Sequence, residues 1–404
     1  MELQSSRVLT IGAGIAGTTV TMALADLKIP CTLLDIKPTI GGTLLDLGVV
    51  FPTDDCALCY EASTEVFSDC VRRCQYRVGI LNHPYVQLLP QTQIESLQEV
   101  KDGIQAQIKV SPQPIQKDKC VDCGLCLSVC PLDAVKKVHP QGIPHKYIID
   151  LNVCDRSKCQ EECVKSCKID AIDFSEKTAS FNSIFDVVVI TTGFTETRPG
   201  FIPYGLETNP NVITQTELGR KIDPMQGHNP KEEFTRADGR PIKHVSMIQC
   251  VGERDARTGN TCSSICCAFS LKHAIILRKL GIDVTFFYMD IRTLGTLEEY
   301  FERARNLGVK FIRGRPSAVE KTYDGTSQIF FENTLLKSPD SLQTDLVVLA
   351  TKLNVAKPHL KTFEVSLDSN KLFQVGDRIQ NIPQTVNQAK ATAFKIMKVL
   401  NGKK

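Results

Sequence analysis

The sequence contains no apolar run approaching the 18 or more residues needed to cross a bilayer, so no direct membrane span is expected. It carries no excess of charge either. The formal net charge of +3 and the absence of any Lys/Arg run give no reason to expect nucleic acid or an anionic surface as partner. Its start, MELQSSRVLTIGAG, lacks the basic opening and small-residue cleavage site of a signal peptide and runs directly into a strand-like segment. A cytoplasmic location is therefore expected. There is no low-complexity tract, and no repeat beyond two cysteine quartets.

Cysteine is what the sequence has in quantity. Seventeen thiols without an export signal are not expected to form disulfides, because cytosolic thiols are kept reduced. At short spacings they read as metal ligands, enough for four sets of four with one left over. The 404 residues exceed one ordinary core and predict two or three domains, and the 42% hydrophobic and 23% charged content is that of a folded globular chain.

Residues 7–36 read as strand, glycine turn, helix and strand. Buried parallel-type strands follow at 185–193, 244–249, 282–289, 309–313 and 345–351, separated by helical stretches, and the tail after Val386 is helical. This alternation predicts doubly wound parallel sheets. Gly12, Gly14 and Gly17 form G-x-G-x-x-G between the first strand and helix. The first permits the tight turn, the second lets backbone approach a pyrophosphate, and the third lets the helix pack on the strand. Asp35 closes the second strand 18 residues after Gly17, where an acid binds ribose hydroxyls. Gly41-Gly42 follows it, Thr191-Thr192-Gly193 ends a later strand, and Gly376-Asp377 precedes the last helix. These marks resemble those of glutathione- and thioredoxin-reductase-like flavoproteins, in which the late aspartate holds the ribityl chain; the resemblance implies FAD.

Cys120-x-x-Cys123-x-x-Cys126-x-x-x-Cys130-Pro131 is the bacterial ferredoxin run. Cys154-x4-Cys159-x3-Cys163-x3-Cys167 is a looser partner run, and Asp170-Ala-Ile after it mirrors Asp133-Ala-Val after the first. In two-cluster modules the fourth cysteine of each run ligates the other cluster. The expected sets are Cys120, Cys123, Cys126 and Cys167 for one 4Fe-4S cluster and Cys154, Cys159, Cys163 and Cys130 for the other. A zinc ribbon is the alternative, but such sites usually use two C-x-x-C pairs. Cys250, Cys262, Cys266 and Cys267 fall within 18 residues after a strand, as a third cubane set or as buried thiols. Cys56, Cys59, Cys70 and Cys74 could hold a fourth cluster or zinc, form a redox pair at Cys56/Cys59, or be structural. Three to four clusters are expected in all. Cys31, in a strand, reads as core.

Where a two-domain disulfide reductase would carry a second glycine fingerprint, after strand 244–249, this chain has QCVGERD with Gly252 alone. A pyridine-nucleotide site is not expected there. Lys272, five residues beyond Cys267, could approach the flavin or face water. His83, His139, His145 and His273 show no metal-ligand spacing. Arg292 and Arg315 could bind an anion, though such charges usually face water.

Together GAGIAG, IGGTLLDLG, FPTDDCALC, the cysteine-rich insert, NVITQTELGR, IQCVGERD with CSSICC, FFYMDIRTLG, VKFIRGRPS and IPQTVNQAKATA resemble the A subunit of heterodisulfide reductase over nearly the whole chain. The resemblance implies an α/β fold: a thioredoxin-reductase-like two-domain flavoprotein with an inserted two-cluster ferredoxin domain. It implies a cubane on Cys250, Cys262, Cys266 and Cys267 near the flavin, with Lys272 as the lysine beside the isoalloxazine ring. The implied division is 1–115, 179–235 and 346–404 for the FAD-binding domain, 116–178 for the ferredoxin insert, and 236–345 for a second α/β domain bearing the third set. The chain is short beside the long methanogen type, resembling relatives in quinone-linked complexes, sulfur oxidation and ATP-independent benzoyl-CoA reductase. TKLNVAKPHL replaces a usual glycine-containing segment, and Cys70 and Cys74 are additional. The function implied is electron transfer, with electron bifurcation as a variant, within a complex. Its partners would be B/C-like or other catalytic and carrier subunits, ferredoxin and a second copy of the chain. A free-standing NAD(P)H-dependent disulfide reductase is the alternative, and a zinc-bound scaffold a third reading.

Overall fold

Short apolar runs build the central sheet of the first unit. Val8–Ile11, Cys31–Leu34 and Val187–Ile190 are buried at every position, as parallel strands covered on both faces must be. The sheet runs Leu372–Gln374, Val187–Ile190, Val8–Ile11, Cys31–Leu34, Val86–Leu89, all parallel. The chain moves to one side of Val8–Ile11 and later returns on the other, which opens a crevice at that strand's C-terminal end. This computed structural model describes residues 6–46, 49–50, 55–56, 78–138, 142–222, 234–293, 295–358, 362–364 and 370–402.

Two layers cover the sheet. On one face the helices Ile15–Ala25 and Ile382–Asn401 pack around Val20, Leu24, Ala389 and Ile396. On the other, Leu9, Ile11 and Val188 meet Ile94, Leu97, Ile104 and Ile108 of a mixed sheet, antiparallel except for a parallel edge strand. Its order is Ala179–Phe185, Gly103–Val110, Thr92–Val100, Thr362–Glu364. Val110 and Ala179 are partners across an antiparallel pair, so residues 111–178 leave and rejoin the sheet at one point. A module inserted between paired strand ends leaves the ladder intact, which is why such positions accept insertions.

The second unit has its own parallel sheet, ordered Val212–Thr214, Leu346–Thr351, His244–Val251, Asp283–Tyr288, Lys310–Arg313. Helices Cys266–Lys279 and Glu298–Asn306 cover one face through Leu271, Ala274, Tyr300 and Ala304. A three-stranded antiparallel sheet covers the other through Val319, Ile329 and Phe331. This pairing shifts two expected boundaries. Val212–Thr214 and Leu346–Thr351 join the second sheet rather than the FAD-binding segments 179–235 and 346–404. An apolar run such as LVVLAT fits either doubly covered sheet, and only distant pairing decides between them. The two connections between units run side by side as the antiparallel strands Phe194–Glu196 and Leu353–Val355. Among the described residues no helix is long and apolar enough to cross a membrane.

Candidate cofactor sites

The glycine turn is built so tightly that side chains cannot enter it. Gly12 has φ +109°, and a Cβ there would lie 2.4 Å from the Thr191 carbonyl oxygen. A Cβ on Gly17 would lie 1.8 Å from the Gly12 oxygen, so helix and strand approach as only glycine permits. The helix Ile15–Ala25 starts at Gly14 with no side-chain cap, leaving its first N–H groups for another acceptor. Asp35 is buried, and its carboxylate accepts the N–H of Ala13 at 2.6 Å and of Lys37 at 2.8 Å. Burial pushes its pKa above the usual carboxylate range, against the pull of those two N–H groups and the Lys37 charge.

Gly41 and Gly42, at φ +119° and +57°, fold back over this turn. The Gly41 N–H donates to the Ala13 carbonyl at 2.8 Å, and a Cβ on Gly42 would lie 2.9 Å from the Gly14 Cα. Gly193 has φ +72°, and the Thr191 hydroxyl lies within donating distance of the Ile11 and Gly12 carbonyls. Gly376 and Asp377 are tied together by Gln388, which accepts the Gly376 N–H at 3.1 Å and donates to Asp377 at 3.0 Å. Their helix opens with a capping box between Asn381 and Gln384. A cradle that a single Cβ would fill, opening at the sheet's switch point, fits a dinucleotide pyrophosphate.

The insert draws the two cysteine runs into two crossed groups. Cys120 feels Cys123 and Cys167, and Cys126 feels Cys120 and Cys123. Cys154 feels Cys159 and Cys130, and Cys163 feels Cys130, Cys154 and Cys159. Cys130 thus stands with the second run and Cys167 with the first. Burial first and then neighbouring thiols push Cys126 up to about 11. Thiolates gathered this way repel one another until a positive centre binds them, so the donor set fits iron–sulfur clusters. The mirrored Asp-Ala turns do matching work. Asp133 and Asp170 adopt φ +50° and +49°, and the following Ala134 and Ala171 each donate N–H to Cys130 and Cys167, both at 3.3 Å. For Cys130, burial is outweighed by this and two further N–H groups, and its pKa falls. Among the described residues no three His, Cys, Asp or Glu side chains converge on a point that could hold one metal ion. A cubane requires no such point, because each thiolate binds a different iron.

The insert is seated on the first unit beside the glycine cradle. Ile40 N–H donates to the Ile143 carbonyl at 2.8 Å, and the Thr39 hydroxyl accepts the Ile143 N–H at 2.9 Å and lies 3.0 Å from the Ile143 carbonyl. Thr39, Ile40 and Ile143 are all buried. Nearby His145 is buried too, and burial followed by the Lys117 charge lowers its pKa to about 4, so it is neutral.

The third set lies in the second unit. Cys250 lies within a register shift just before the end of strand His244–Val251, in a left-handed conformation of φ +60°, and Cys266 and Cys267 open the helix Cys266–Lys279. These three are buried, and Cys262 is half-buried. Burial, then Cys266, pushes Cys250 up to about 11. Cys267 and burial raise the pKa of Cys266, while Cys266, and after it the Arg292 N–H, lower that of Cys267 against its burial. The loop where a second glycine fingerprint would stand thus carries thiols, with Gly252 at φ +77° and Gly259 at φ +85° but no G-x-G-x-x-G. Lys272 is 6% exposed, which removes its reading as a solvated lysine; its Nζ lies 4.8 Å over the Phe269 ring. His273 beside it is fully enclosed, neither ring nitrogen has a hydrogen-bond partner among the described residues, and burial and Lys272 keep it neutral. Arg315 does not stand free: with Arg257 it pairs to the buried Asp255.

Cys56 lies in the two-residue strand Asp55–Cys56, paired with Val49–Val50. Cys59, Cys70 and Cys74, and His139, lie outside the described residues. Sequence reasoning missed two features. One is the Thr39–Ile143 contact, which joins residues 104 apart. The other is Arg254, visible only as a charge in QCVGERD but turned back towards Cys250.

Residues 114–136 match the family described as 4Fe-4S binding domain. The chain is similar to the iron-sulfur A subunit of CoB–CoM heterodisulfide reductase from Methanocaldococcus jannaschii, with 32% identity over 95% of this chain and 63% of the relative. It is similar to the A subunit of the ferredoxin/F(420)H(2)-dependent CoB-CoM heterodisulfide reductase from Methanosarcina acetivorans, with 30% identity over 98% of this chain and 53% of the relative. The chain thus spans between about a half and two thirds of the length of these relatives. Among solved structures, T. acidophilum thioredoxin reductase aligns with TM-score 0.56 and 13% identity, covering 97% of each chain. The Lactococcus lactis enzyme aligns with TM-score 0.54 and 13% identity, covering 98% of this chain and 100% of its own. At such identity the likeness shows the fold: a thioredoxin-reductase-like pair of α/β units, here with a ferredoxin-type insert, as the sequence predicts.

Proposed function

The chain belongs to the family of heterodisulfide reductase A subunits, and from that membership we propose that it is an FAD- and 4Fe-4S-carrying electron-transfer subunit of a cytoplasmic, multisubunit, heterodisulfide-reductase-like oxidoreductase. It would relay electrons between ferredoxin-type donors and a catalytic partner subunit. Flavin couples two-electron to one-electron chemistry, and clusters carry single electrons. The observation that carries the reading is the insert itself. Two crossed cysteine quartets are spliced between paired strands of the glycine-cradle unit, and Ile143 clamps the insert next to Gly41.

In this reading Gly12, Gly14, Gly17, Gly41 and Gly42 admit the pyrophosphate, and Asp35 and Asp377 meet the ribose and ribityl hydroxyls. Gly193 and Gly376 shape the rim of the cradle. The two quartets of the insert and the set Cys250, Cys262, Cys266 and Cys267 each bind a cluster. Cys56, Cys59, Cys70 and Cys74 are candidates for a fourth. Lys272, buried on the helix that starts with Cys266 and Cys267, supplies a positive charge for reduced flavin.

Iron analysis of the anaerobically reconstituted chain tests this, and about 12 to 16 irons are expected from three or four cubanes of four irons each. Eight irons or fewer would exclude a cluster on the Cys250 set. The thioredoxin-reductase-like fold favours a second reading, a free-standing NAD(P)H-dependent disulfide reductase. Rapid bleaching of the bound flavin by NADH or NADPH alone would favour it over the relay.

A further inference from the structure

A half-buried cation stands beside the third quartet. Arg254 lies four residues after Cys250, in the loop leaving strand His244–Val251. Both residues occupy the left-handed region, at φ +51° and +60°, although neither is glycine. Such backbone is strained for any residue with a Cβ and persists where its surroundings hold it. Here the Arg254 N–H is fixed by the Thr261 carbonyl at 3.1 Å, and Nη2 donates to Asp290 at 2.6 Å. Nη1 is buried and finds no acceptor in hydrogen-bond geometry among the described residues, a rare state for a charged donor. The group that this guanidinium approaches is the Cys250 thiol. Three other charges face the site. Glu253 is buried and accepts the Ser263 N–H at 3.1 Å and hydroxyl at 3.2 Å. Arg313 stands 4.0 Å from Asp290, on which the Arg292 charge also acts.

We propose that Arg254 sets the reduction potential of the cluster on Cys250, Cys262, Cys266 and Cys267, its guanidinium being shared between the Cys250 sulfur and Asp290. This rests on the reading of that quartet as a cluster site. Reduction adds one electron to the cluster and breaks no bond. The added negative charge is stabilised by a cation held close in a medium that screens poorly, so Arg254 raises the potential. Asp290 draws part of that charge away and lowers it. Arg254 is thus a positioning residue acting through Cys250.

The test is redox titration of the full chain, reconstituted with iron, sulfide and FAD, with dithionite as reductant and electron paramagnetic resonance as readout. The relevant signal is the one missing from C266A. R254M should shift the oxidised-to-reduced ratio at the wild-type midpoint about tenfold towards oxidised, a midpoint lower by about 59 mV. R254K keeps the charge and should stay near the wild type. D290N frees the guanidinium and should move the midpoint upwards. An unmoved midpoint in R254M with full iron, or shifts of the same sign in R254M and D290N, would overturn the proposal. If R254M loses iron, D290N decides, since an unmoved or lowered midpoint there overturns it equally. Equal iron in wild type and C266A would sink the cluster reading itself and the proposal with it.

Discussion

Gly17 and Gly193 both border the dinucleotide turn, and the structure asks different things of them. A methyl on Gly17 would meet the Gly12 carbonyl at 1.8 Å and the Thr191 hydroxyl at 2.7 Å. Neither can retreat, because both belong to the paired strand ends. G17A should therefore destabilise by at least the roughly 1–3 kcal/mol typical of overpacking, and should lose FAD. Gly193 has open space around its missing Cβ but φ +72°. G193A should cost only the left-handed backbone penalty, roughly 1–2 kcal/mol, and keep FAD. Flavin content after gel filtration and a urea melt of each variant check this. G193A losing FAD as fully as G17A would show that shape, not crowding, governs the cradle. Glycine spacings and Asp35 were legible in the sequence because their chemistry is local: strand, turn and helix lie within 7–36. Arg254 was not, because its direction depends on a left-handed backbone that a charged residue in QCVGERD does not announce.

Among the elements, the least legible feature is the seat of the insert. The ferredoxin spacings and the mirrored Asp-Ala turns were readable, since each run carries its own geometry. Where the insert rests was not, because Thr39 and Ile143 are joined by folding alone. The same holds for Val212–Thr214 and Leu346–Thr351, whose apolar runs do not say which sheet they complete. The Thr39 clamp makes a testable element. T39V keeps the shape but leaves the buried Ile143 N–H without its acceptor. Such a loss costs about 1–3 kcal/mol locally, or roughly a five- to 150-fold change in an opening equilibrium. Amide exchange at Ile40 and Ile143 should quicken by that factor. Iron and FAD should stay, T39S should behave as wild type, and flavin reduction by dithionite-reduced clusters should slow. Unchanged exchange in T39V would show that this contact does not hold the insert in place.

For the whole molecule, the question is whether flavin and third cluster are one structural unit or two. The glycine cradle and Asp377 belong to the first sheet and its helices, whereas Cys250 and Cys266 belong to the second. Between them run the paired connections Phe194–Glu196 and Leu353–Val355, tied by the Ala356 N–H to the Gly193 carbonyl at 2.9 Å, and helix Gln215–Ile222 of the second unit packs against Gly42–Asp46 of the first. Replacing Cys266 with Ala acts at a helix start whose carbonyl accepts from Gln215 at 3.1 Å, and it leaves the cradle glycines, Asp35 and Asp377 unchanged. The thiolate set would lose one of its four members, and a cubane is held by the thiolates the fold supplies. C266A should therefore lose about four irons, keep FAD, and leave the clusters of the insert reducible, with some local loosening around Cys250. If this set lies on the route between insert and flavin, reduction of the flavin by the insert's clusters should slow severely in stopped-flow experiments. Full iron content with wild-type flavin reduction would deny the third cluster any role. Loss of FAD together with the iron would show the two sites to be one unit, and the separation drawn from the two sheets would be wrong.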